Sequence, residues 1–67
     1  LKLSAKYLIE VLIHHGFIFK RSKGSHHVYF NPTSNKTVIA PFHGNKDMPK
    51  GTFFAILRQA GIDKNTI

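Results

Sequence analysis

Between Phe17 and Ala40 the chain sets three short strand-like runs around two turns, and neither turn has room for a crossover. Parallel pairing needs a connection of about a dozen residues or more, so the runs must form an antiparallel meander. The first run is Phe17-Ile18-Phe19-Lys20-Arg21, the second spans His26 to Asn31, and the third spans Lys36 to Ala40 around Thr37-Val38-Ile39. Ser22-Lys23-Gly24-Ser25 and Asn31-Pro32-Thr33-Ser34-Asn35 carry the turn chemistry between them. Gly24 is free to take a positive φ, as a tight hairpin demands.

A helix is expected on each side of this meander. Ser4 is a good N-cap, and Tyr7, Leu8, Val11 and Leu12 recur at helical spacing up to His15. Gly16 stands where a left-handed C-terminal residue belongs, and His14 and His15 fall in the last turn, where they would cap carbonyls. Pro41 closes the third run, and Pro49 suits the first turn of a second helix with Phe53, Ile56, Leu57 and Ala60 as its apolar stripe. Gly61 caps that helix, and Asp63 can open a last short turn. The order is α-β-β-β-α, an α+β sandwich with two helices on one face of a three-stranded sheet. This layout matches double-stranded-RNA-binding domains, and leaves the other sheet face and the loops for binding.

The chain has 67 residues, enough for one domain over 1–67. A domain of this size buries only about 60% of its unfolded surface, so the core must be small. It has no cysteine, which removes disulfides, thiolate zinc sites and a cysteine nucleophile. No apolar stretch approaches the ~20 residues of a membrane span and no signal-peptide layout is visible, so a cytoplasmic setting is expected. Ten Lys and Arg against three acids leave a net charge of +7. That balance favours a polyanion, nucleic acid first and an acidic protein second.

The chemistry concentrates at Lys23-Gly24-Ser25-His26-His27-Val28-Tyr29-Phe30. Neighbours on a strand point to opposite faces, so His26 goes with Val28 and Phe30, and His27 with Ser25 and Tyr29. The expectation is that His26 sits at the core edge, with His27 the more accessible and Tyr29 on the outer face as a stacking platform. A histidine here can take the proton of a ribose 2′-hydroxyl, since imidazole titrates at about 6.5. Lys20, Arg21 and Lys23 would hold the phosphate, and the Gly24 and Ser25 amides could donate to it.

From residue types alone the plainer reading stands beside that one, with His26 filling a strand position and His27 solvated. Glu10 and Asp47 have no motif tying them to the turn as a general acid. Five histidines raise the question of a metal, but there is no His-x₃-His pair and no paired carboxylate, and adjacent strand histidines diverge. No metal and no cofactor is expected. A passive RNA-binding surface, extended by Lys46, Lys50 and Arg58, is the alternative to an enzyme.

Three segments together resemble the HicA toxins, the mRNA interferases of bacterial toxin–antitoxin systems. They are Lys23-Gly24-Ser25-His26-His27, Val38-Ile39-Ala40-Pro41-Phe42-His43, and Pro49-Lys50-Gly51-Thr52 leading to Ile56-Leu57-Arg58-Gln59-Ala60-Gly61-Ile62. The resemblance runs from the first helix to Ile62. It implies a double-stranded-RNA-binding-like fold, metal-independent endoribonuclease activity on mRNA, and a HicB-type antitoxin as protein partner. It also implies that the histidine after Gly-Ser is essential, which places the catalytic role on His26 with His27 as the alternative. Gly24 carries over as a turn residue, and His43 and Lys50 match binding positions loosely. Ala40 departs from the family, which commonly has a β-branched residue before the proline.

Overall fold

The structure, a computed structural model, describes residues 3–42 and 47–66. Helix α1 spans Ala5–His14, and Ser4 starts it by accepting the Tyr7 amide on Oγ at 3.1 Å. At its other end the His15 amide reaches the Val11 and Leu12 carbonyls, and Gly16 turns the chain out at φ 94°. The His15 ring also caps, with Nδ1 2.9 Å from the Val11 carbonyl, where it can only donate. The capping expectation for the last turn thus holds for His15, while His14 is exposed with its ring edge-on to that of His15.

Strands β1 (Ile18–Lys23), β2 (His26–Asn31) and β3 (Lys36–Pro41) form an antiparallel sheet in the order β1-β2-β3. The first run therefore starts one residue late and ends two residues late against its sequence expectation. Phe17 lies buried ahead of it, and the turn shrinks to Gly24-Ser25 between the paired Lys23 and His26. Gly24 alone of the two turn residues takes a positive φ, 58°, which is the type II′ pattern suited to strand twist. A bulge between Phe19 and Arg21 shifts the register, leaving Ile18 opposite Phe30, Phe19 opposite Tyr29 and Arg21 opposite Val28.

The second turn is built on Asn31, which is 7% exposed. Its Oδ1 accepts the Thr33 and Ser34 amides, and its Nδ2 donates to the His15 carbonyl at 3.1 Å. One buried amide thus shapes a hairpin and ties it to the end of α1. Asn35 completes the turn at φ 60°, a conformation asparagine tolerates better than most residues.

Helix α2 spans Lys50–Ala60, with Pro49 as its N-cap residue and Gly61 left-handed at φ 76° after it. A 3₁₀ turn follows at Lys64–Thr66, where Asp63 Oδ1 accepts the Asn65 amide. Both helices pack on the same face of the sheet, against β3 and each other. Tyr7 stacks on Phe53 between them, with centroids 5.7 Å apart and planes 10° from parallel. Leu8, Leu12, Phe17, Val38, Phe53 and Leu57 are the largest sealed side chains of the core. Burying each contributes about 1.5–3 kcal/mol, which matters in a domain this small.

Candidate active site

The pairing register decides which side chains face the helices. Tyr29 opposite Val38 and His27 opposite Ala40 lie on the covered face, and Tyr29, Val38 and Ala40 belong to the core. His26 opposite Pro41, Val28 opposite Ile39 and Phe30 opposite Thr37 lie on the open face. The two faces are therefore the reverse of the sequence expectation. Tyr29 is 4% exposed and cannot be a stacking platform; burial pushes its phenol above the ordinary value of 10.0. His26 is exposed, while His27 is only half-exposed. Both faces are partly apolar along β2, so alternation alone could not say which one the helices would take.

His27 is held by aromatic contacts. Its ring stacks on Phe42 at 5.0 Å and 16°, and meets the edge of Phe19 at 5.7 Å. The Phe42 amide donates to the Ser25 carbonyl at 2.6 Å, tying the chain beyond β3 to the Gly24-Ser25 turn. His27 thus stabilises the strand end from which its neighbour projects.

On the open face His26 lines a cleft of about 610 Å³ with Arg21, Ser22, Lys23, Val28 and Ile39. A second cleft of about 270 Å³ adjoins it and shares Arg21 and Val28, adding Lys20, Phe30 and Thr37. The Lys20 ammonium lies 5.8 Å from the centre of the Phe30 ring, within cation–π range. No acidic residue lines either cleft, so the basic side chains there are not offset locally. Gly24 has open space where a side chain would stand, with no atom within 4 Å of the Cβ position. The turn therefore needs glycine for its φ and leaves its outer surface clear for a ligand.

The structure brings Lys20, Arg21, Lys23, Gly24, Ser25 and His26 into one neighbourhood, as the sequence suggests. It does not bring Lys50 there. Lys50 lines a separate cleft of about 500 Å³ with Phe54, Arg58 and Lys64, sharing no residue with the clefts of the open face. His43 and Lys46 lie outside the described residues. Sequence reasoning missed Val28 and Ile39 as lining residues; counting the register outward from the hairpin turns would have paired them. Among the described residues no group of three or more His, Cys, Asp or Glu converges as a metal site would require.

In comparison with known proteins, residues 5–62 match a family model described as HicA toxin of bacterial toxin-antitoxin. No curated protein matches the chain.

Proposed function

The chain belongs to the HicA toxin family, and from that premise we propose that it is a metal-independent endoribonuclease, an mRNA interferase of a type II toxin–antitoxin system, with His26 as general base. The observation that carries this reading is the exposed imidazole of His26 in one cleft with Arg21 and Lys23. His26 takes the proton of a ribose 2′-hydroxyl. The 2′-oxygen then bonds to the adjacent phosphorus as the bond from phosphorus to the 5′-oxygen breaks. The products are a 2′,3′-cyclic phosphate and a 5′-hydroxyl, whose oxygen takes its proton from water. Arg21 and Lys23 offset the charge that develops on the phosphoryl oxygens, and Lys20 extends the same positive field. The open surface over Gly24 and Ser25 lets the RNA backbone come close.

His26 is favoured over His27 because it faces the cationic clefts, whereas the His27 ring is taken up by Phe42 and Phe19. The partner is a HicB-type antitoxin that covers the open face in the inactive complex. The substrate, mRNA, places the protein in the cytoplasm; no helix among the described residues is long and apolar enough to cross a membrane. Lys50 contributes to RNA binding outside the cleft of His26, and His43 is assigned to RNA binding as well.

The test is cleavage of a defined mRNA by His26→Ala alongside the parent chain. A positioned base contributes about 10²–10⁴-fold, so cleavage should fall by that order with the circular dichroism spectrum unchanged. EDTA should leave the parent rate intact. Full cleavage by His26→Ala would remove His26 from the mechanism. RNA that is bound by the parent but stays intact would make the chain a silent RNA-binding module.

A further inference from the structure

We propose that the open sheet face is a track for single-stranded RNA, running along β2 from His26 to Phe30, in which unstacked bases rest on Val28, Ile39 and Phe30 while Lys20, Arg21 and Lys23 hold the phosphates. The inference rests on the nuclease reading and adds the substrate's strandedness and the residues that take its bases. Three observations carry it. The two clefts are contiguous through Arg21 and Val28, so together they form one path rather than two sites. The floor of that path is apolar: Val28, Phe30 and Ile39 line it, Ile39 is 53% exposed, and Ile18, opposite Phe30 on the neighbouring strand, extends the apolar surface at 48% exposed. The walls carry cations and no acid.

Charge alone would suit any polyanion, and the apolar floor decides between them. In a duplex the base faces are stacked inward and a protein meets phosphates, sugars and base edges, so an apolar floor finds no base face to bind. A single strand can splay its bases, and a ring such as Phe30 accepts any of them because each base has a π-face. The ammonium of Lys20 beside that ring places a phosphate contact next to a base contact. An acidic polypeptide would match the cations but has no flat aromatic group in regular register for Phe30. The fold's likeness to duplex-binding domains therefore does not carry over to this face.

The chain contains no tryptophan, so Phe30→Trp introduces a single tryptophan reporter into the path, excited selectively over the two tyrosines. The variant is made on the His26→Ala background, which keeps the RNA whole, and is titrated with a short oligouridine, the same length of blunt RNA duplex, and polyglutamate of equal charge. Saturable quenching by oligouridine, with little from duplex or polyglutamate, is the expected result. On the same background Phe30→Ala should bind end-labelled oligouridine about tenfold more weakly, since one base stack is worth about that factor. Equal quenching by duplex, or by polyglutamate, overturns the track, the latter in favour of a protein partner. So does unchanged oligouridine affinity in both Phe30→Ala and Ile39→Ala. If cleavage depends on His26 while these variants bind normally, the nuclease stands and the track falls. Quenching by oligouridine in a protein whose parent never cuts RNA keeps the track and removes the nuclease.

Discussion

His27 lies face to face with Phe42, ring centres 5.0 Å apart, on the opposite side of the strand from the imidazole of His26. Two adjacent histidines thus have different surroundings, one packed among aromatic rings and one exposed on the open face. His27→Phe should keep both the stack and RNA cleavage, with stability within about 0.5 kcal/mol of the parent. His27→Ala should lose about 1–2 kcal/mol, as removal of an aromatic pair does. Urea denaturation and a cleavage assay on both variants check this. Loss of cleavage in a folded His27→Phe chain would transfer the base to His27.

Gly24 is required for its backbone, because φ is 58° and its Cβ position is empty. Gly24→Ala should cost about 1–3 kcal/mol from its positive φ alone, without a clash. Thermal unfolding measures it. A variant as stable as the parent would mean that the hairpin takes another turn type.

Asn31 donates to one carbonyl and accepts from two amides, so aspartate cannot replace it. Asn31→Asp keeps the accepting oxygens but sets a carboxylate against the His15 carbonyl, and should cost at least about 2 kcal/mol at neutral pH. The opposing carbonyl favours the protonated acid in the folded state, which can donate as the amide did. Its folded pKa is then above the unfolded one, so the missing stability is present at low pH and lost as pH rises. The gap in urea midpoint between variant and parent should therefore narrow on acidification. A gap independent of pH would show that the Nδ2 bond contributes little.

Tyr29 supplies an alkaline counterpart. Burial holds its phenol above 10.0, so folding favours the neutral form. Its contribution is complete below the unfolded value and is lost as pH climbs through the raised folded value. Denaturant midpoints taken on either side of about 10 should fall at the alkaline end, and Tyr29→Phe should flatten that fall. An identical alkaline loss in Tyr29→Phe would assign it to other groups.

Local signals carried most of the element order. Ser4, Gly16, Gly24 and Gly61 each act over a few residues, and each stands where its chemistry placed it. The orientation of the sheet was a different kind of question. Val28 and Phe30 offer as much apolar surface as Tyr29, so period two along β2 fits either side. The deciding residues are on β3, where small Ala40 and Val38 let α2 approach while Ile39 and Thr37 point away. That asymmetry belongs to helix–sheet packing and is not a property of one strand. The bulge at Lys20 was likewise silent, because an extra residue in a strand has no fixed composition. The identity of the turn was readable in advance, and the cleft next to it was not.

Among the described residues the sheet has three strands, and there β1 stands at an edge whose amides and carbonyls are open to another chain. Unprotected edges template aggregation, and proteins guard them with lysines and bulges. β1 has both, in Lys20, Arg21, Lys23 and the irregularity between Phe19 and Arg21. Like charges would meet if two copies aligned there, and the kink would break their register. The row of cations along β1 thereby keeps the protein from assembling with itself along that border.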